Sequence, residues 1–214
     1  MNIIKQAGVI LICLLSVQAR AVLADSGDEI NHLQQRWEEV NYQLEGKTRL
    51  SAFKQLVEEA DMATAEYPDK VEVWIWSGII KSTYAGAKGG LGALKLAKQS
   101  RADLEKAIAI DGDAMQGSAY TSLGTLYYSV PGWPVGFGDD AKAEELLRKA
   151  LALNPDGIDS NYFYGTFLID QKRYQEARTY LQRAQQAPPR PRREIADAGR
   201  RQEIARALED ITGK

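Results

Sequence analysis

Residues 143–189 read AEELLRKALALNPDGIDSNYFYGTFLIDQKRYQEARTYLQRAQQAPP. Within them Ala143, Leu147, Ala150 and Pro155 are separated by 4, 3 and 5 residues, and Ala177, Leu181, Ala184 and Pro189 repeat that spacing. Steps of four and three place three residues on one helical face, and the proline marks where the helix stops. Working outward, Leu56, Ala60, Ala63 and Pro68 give the same pattern, and Ser100, Leu104, Ala107 and Gly112 give a weaker one in which glycine is the stop. A second signature precedes the last three copies: Ser77–Gly78 then Lys81, Leu123–Gly124 then Tyr127, and Tyr164–Gly165 then Leu168. Small residues at those places let a second helix approach closely.

The distance from Ala150 to Ala184 is 34 residues. A two-helix period of that length is the tetratricopeptide repeat (TPR), and residues 158–191 read as one complete copy. The two earlier periods, Ala63 to Ala107 and Ala107 to Ala150, are 44 and 43 residues. Their surplus falls between paired helices, where turns of about 2–5 residues are usual. The insertions are GAKGGLG at 86–92 and SVPGWPVGFGDD at 129–140. The expected fold is all-α: a TPR-like helical-repeat solenoid of about four helix pairs plus a C-terminal capping helix. The expected helices span roughly 28–45, 48–66, 71–87, 93–110, 114–129, 139–153, 158–171, 174–187 and 192–211, with no alternating strand pattern. Asp139 or Asp140 suits the N-cap of the sixth. Ile195, Ala198, Ile204, Leu208 and Ile211 would let the last helix cover the final apolar face.

Composition narrows the chemistry. The 214 residues are 44% hydrophobic, 8% aromatic and 26% charged, with 27 Lys+Arg against 29 Asp+Glu, so the basic excess of a general nucleic-acid binder is missing. One cysteine and one histidine rule out an intrachain disulfide and a Cys/His zinc site. His32 has no nucleophile elbow or cysteine partner for a triad. Gly46-Lys47-Thr48 resembles the end of a phosphate loop, but Asn41 stands where its first glycine belongs. Asp111-Gly112-Asp113 is too short for a calcium loop. No catalytic residue, metal or cofactor is expected, and the chain reads as a non-enzyme.

The N-terminus has the order of a secretory signal peptide: Lys5, an apolar run AGVILICLLSV at 7–17, then small residues around Leu23. Cleavage is expected after Ala24 or Ala21, which makes 1–24 a signal peptide and 25–214 a single repeat domain. Cys13 lies inside the apolar run behind Ile12, where a lipid-anchor motif would place a small residue. The apolar run is shorter than the ~20 residues a membrane span needs. Export without a transmembrane segment implies the periplasm, if the host is a Gram-negative bacterium.

Half of the 18 aromatic residues fall within 120–167. The repeat register accounts for Tyr120, Tyr127 and Tyr164 as core. Tyr128, Trp133, Phe137, Tyr162 and Phe163 are surplus to it, and Tyr and Trp are favoured binding anchors. Together with Asn161 they form the candidate binding set; the competing reading is ordinary core packing. Arg190, Arg192, Arg193, Arg200, Arg201 and Arg206 make the C-terminal region basic, read either as a solvated helical face or as a contact for anionic lipid or a partner.

VPGWPVGFGDD (130–140) followed by AEELLRKALALNPDGIDSNYFYG (143–165) resembles an exported bacterial TPR family, the T component associated with TRAP transporters, and more distantly the eukaryotic regulators of microtubule dynamics. The resemblance covers most of 71–211 and is strongest over 120–190. It implies an all-helical fold with a cavity or channel through the repeats, and a link to partner proteins and to hydrophobic or lipid ligands. The expected function is a periplasmic scaffold or adaptor that binds a partner protein, with an envelope or transport system as the setting the resemblance implies. The alternative is a carrier for a lipid or other apolar small molecule, favoured by a closed chamber lined by Trp133 and Tyr162.

Overall fold

The computed structural model describes residues 26–214; the proposed signal peptide, its cleavage sites and Cys13 lie outside them. Among the described residues there are nine helices and no strand: α1 Ser26–Tyr42, α2 Gly46–Glu66, α3 Val71–Lys88, α4 Gly90–Asp111, α5 Ala114–Ser129, α6 Asp140–Leu153, α7 Ile158–Asp170, α8 Tyr174–Gln186 and α9 Glu194–Asp210. None is long and apolar enough to cross a membrane.

The repeat signatures meet in pairs. A Cβ placed on Gly78 would lie 2.5 Å from Leu104, one on Gly124 2.8 Å from Leu147, and one on Gly165 2.9 Å from Leu181. Glycine on the first helix of each pair therefore makes the seat for leucine on the second, and all three leucines are fully buried. Asp139 caps α6 by accepting from the Lys142 amide at 3.0 Å.

The packing order sets the curvature. α1, α3, α5 and α7 touch in succession, while α2, α4, α6 and α8 do not touch one another. The odd helices form the tight inner layer and the even ones fan out behind them, so the solenoid is concave on the side of α1, α3, α5 and α7.

Three expectations change. The glycine-rich stretch 86–92 is absorbed into helix: α3 runs to Lys88, α4 starts at Gly90, and Gly89 and Gly90, at φ 63° and 62°, make the turn. No proline interrupts the stretch, so both helices run on through residues that stay largely exposed and need only the Gly89–Gly90 turn between them. In α5, Met115, Gln116 and Gly117 take left-handed φ of 49°, 55° and 77°, so the regular helix begins after them. Finally, α9 does not merely cover the last repeat. It packs on α7 and α8 and also reaches α1 at the opposite end of the solenoid. Ala196 joins the N-terminal apolar cluster, whereas Ile204 and Ile211 join the C-terminal one. Ala198 and Ile195 stay exposed, and the polar residues Asp197 and Arg200 are buried in their stead.

Candidate interaction site

The insertion after α5 is a braced loop. Gly136 N donates to Gly132 O at 3.0 Å, Gly138 N to Pro131 O at 3.0 Å, and Asp139 N to Tyr127 O at 2.9 Å. Gly136 and Gly138 pass so close to the Pro131 and Val130 carbonyls that no side chain fits at either. The Trp133–Pro134 peptide is cis. Phe137 roots the loop, edge-on to Tyr127 at 5.5 Å and beneath the Arg101 guanidinium at 4.7 Å. At the tip, Trp133 is 91% exposed and Val135 is exposed beside it. An exposed tryptophan therefore lines no closed chamber.

The remaining candidates lie elsewhere. Tyr128 is half-buried, edge-on to Phe167, with its hydroxyl 3.0 Å from that of Thr166; burial pushes its pKa up to about 12. Asn161 is fully buried, and its Nδ2 donates to the Pro155 and Gly157 carbonyls at 2.7 and 2.9 Å, which fixes the turn into α7. Tyr162 and Phe163 face α9: the Arg200 guanidinium sits 4.4 and 4.5 Å from their ring centroids. A cleft of about 330 Å³ beside Tyr162 is lined by Thr166, Ile169 and Ala207, and also by Glu203, Arg206 and Asp210. The structure thus places the six residues in three settings, not in one pocket: a loop tip (Trp133, Phe137), internal packing (Tyr128, Asn161) and the α9 contact (Tyr162, Phe163).

The C-terminal arginines are mostly engaged within the chain. Arg190 pairs with Asp159 at 2.5 Å and Asp197 at 2.7 Å, and Arg200 with Asp159 at 2.8 Å. Arg193 pairs with Glu38 of α1 and lies over the Trp76 ring of α3 at 5.1 Å. Arg201 donates to the Gln185 and Ala187 carbonyls. Burial alone would raise the Asp159 pKa, but the Arg200 and Arg190 guanidiniums outweigh it and hold the carboxyl at about 2. Burial likewise works against the Arg200 charge, yet Asp159 keeps it above its ordinary value. The reading of a solvated basic face gives way to these pairings.

A charge cluster around the buried Lys81 carries no motif in the sequence. Lys81 Nζ lies 2.6 Å from both Asp61 and Asp103, and the Ser77 hydroxyl donates to Asp103 at 2.8 Å. The available signal was Lys81 itself, standing where the later repeats have Tyr127 and Leu168. Ser77 is fully buried, so the cluster ties α2, α3 and α4 together without offering a nucleophile. No grouping of three or more His, Cys, Asp or Glu suited to a metal occurs among the described residues.

Residues 136–201 match the tetratricopeptide repeat family. A solved structure of TTC0263, a thermophilic TPR protein of Thermus thermophilus, superposes with a TM-score of 0.56 at 15% identity, covering 86% of this chain and 100% of that one. The fold is a TPR solenoid. MamA is a further structural match, with a TM-score of 0.46 at 17% identity over 76% of this chain and 88% of that one. No curated protein matches the sequence. The TPR family match spans α7 and α8 entire, with the flanking α6 and the first turns of α9.

Proposed function

We propose that this TPR protein is a non-enzymatic scaffold that binds a partner protein, with the 130–139 loop as its docking tip. The observation that carries the reading is Trp133, 91% exposed on a loop held by backbone hydrogen bonds and rooted by Phe137. Exposing a tryptophan to water is unfavourable, and a braced backbone lets it be buried by a partner with little further loss of entropy. The partner-protein reading is favoured over an apolar carrier because Trp133 faces solvent and the cleft beside Tyr162 carries three charged side chains.

The test places a photo-crosslinking amino acid in cells at position 135, the exposed neighbour of Trp133 on the loop tip, with Met62, an exposed residue on α2, as the control position. A defined cross-linked protein at 135, absent at 62 and lost when Trp133→Ala is added, supports the reading. Identical products at both positions refute it. Export belongs to the same proposal and rests on the order of residues 5–24. N-terminal sequencing of the periplasmic protein should start at Asp25 or Val22; a chain retaining Met1 in the cytoplasm overturns it. Placement in an envelope or transport system follows the resemblance to the TRAP-associated family and would be read from the identity of the cross-linked partner.

A further inference from the structure

We infer that the concave face is an arginine-reading groove, occupied here by the chain's own α9 and the residue before it, and that its external partner is a segment carrying two arginines seven residues apart, the first just ahead of a helix and the second two turns into it.

The inner layer builds two similar cradles, each an acid beside an aromatic ring. Near one end, Glu38 of α1 and Trp76 of α3 enclose the Arg193 guanidinium. At the other, Asp159, Tyr162 and Phe163 of α7 enclose that of Arg200. A carboxylate that fixes the fork and a ring that stacks on its plane together select guanidinium over ammonium. Arg193 is the non-helical residue that precedes α9, and Arg200 lies two turns into the helix. Between them Gly199 passes against the Tyr42 ring so closely that a Cβ would not fit. The motif read is thus arginine, six residues with a small one beside the second arginine, then arginine.

Three features make α9 a displaceable occupant. Its N-terminal half is held largely by ion pairs, with Ala196 as its buried apolar contact; the firm apolar anchors, Ile204 and Ile211, lie further on. Trp76 Nε1 is buried and finds no acceptor among the described residues, so α9 leaves a donor unpaired that a better-fitting helix could satisfy. The connection that delivers α9 carries Pro188, Pro189 and Pro191, and Arg192 stands at φ 59°, a left-handed conformation unfavourable for a side chain of its kind. This surface is separate from the Trp133 loop, so the two proposals fail independently.

The experiment uses the full chain and a fluorescein-labelled peptide of residues 190–206, RPRREIADAGRRQEIAR, in fluorescence anisotropy. Because Arg190 also pairs with Asp159, Arg190→Ala/Arg193→Ala/Arg200→Ala is the change that empties the cradles in cis, and it is expected to bind the peptide at least tenfold more tightly than the wild type does. A peptide with glutamine in place of both arginines should lose at least tenfold, and one with lysine should lose nearly as much. Should circular dichroism show that the triple variant has lost helix, Arg193→Ala alone, which frees the Glu38 cradle and leaves Arg190, Arg200 and the Ile204 and Ile211 anchors in place, must show at least a threefold gain. Equal binding by wild type and variant, or equal binding of the arginine and glutamine peptides, overturns the inference.

Discussion

The glycine–leucine seats can be tested as a double-mutant cycle on Gly165 and Leu181. Leu181 is fully buried, and a Cβ on Gly165 would lie 2.9 Å from its Cγ and 3.0 Å from its Cδ2, with the Ala177 carbonyl at an ordinary 3.5 Å. The Cγ is fixed by χ1, so it cannot swing aside as the end of a long side chain would. Leu181→Ala should cost about 2–5 kcal/mol, since the transfer energy is lost and a cavity remains. Gly165→Ala alone should lose about 1–3 kcal/mol to overpacking and recover about 1 kcal/mol in helix propensity. With both changes the overpacking disappears, because the atoms it involved are gone, while the propensity gain stays. The double variant should therefore be more stable than the sum of the singles by about 1–3 kcal/mol. Urea denaturation followed by circular dichroism measures each corner, with an unchanged slope as the check that the cooperative unit is intact. Additivity within about 0.5 kcal/mol would show that Gly165 does not seat Leu181 and that the packing of α7 on α8 is set by other residues.

Asp159 gives a pH dependence. Its carboxyl is held at about 2, below the ordinary 3.8, so its stabilisation is present above pH ~4 and is lost as pH falls through about 2. Because Asp159 is about a third exposed, solvent screening trims the effect to about 1 kcal/mol; the urea-stability difference between wild type and Asp159→Asn should shrink by that much from pH 5 to pH 2, and a constant difference would count against the α7–α9 pairing. Gln116 is exposed at φ 55°, so Gln116→Gly should stabilise by about 0.5–1 kcal/mol in the same assay, and a loss would refute the left-handed turn. Trp133→Ala should leave the thermal midpoint within about 2 °C of wild type while weakening partner binding by about 2 kcal/mol or more; a large drop in midpoint would make Trp133 a packing residue.

The site was legible only in part. The aromatic surplus drew attention to Trp133, Tyr162 and Phe163, and each touches a surface proposed here to bind. The same criterion also picked out Tyr128, whose hydroxyl meets Thr166, 38 residues on, and composition could not show that contact. Asn161 reads as a binding residue only until its amide is seen to close the turn at Pro155 and Gly157. Lys81 reads in the sequence as one position of the repeat signature; its pairing with two aspartates on neighbouring helices is tertiary.

By itself the sequence determined the all-helical repeat. The 4–3–5 spacing and the paired glycine signature are local, and spacing along a helix decides which residues share a face. That was enough to place Leu147 and Leu181 in the core and Asp139 at a helix start. Tertiary structure decided what periodicity does not encode. Residues 86–92 were taken up by α3 and α4, which pack on each other around a turn at Gly89 and Gly90. The course of α9 was set by partners far along the chain: Arg193 meets Glu38 across 155 residues, and Arg200 meets Asp159 across 41. Those pairs depend on how far the stacked inner helices curve before α9 returns to them, and curvature accumulates from small rotations at every repeat contact.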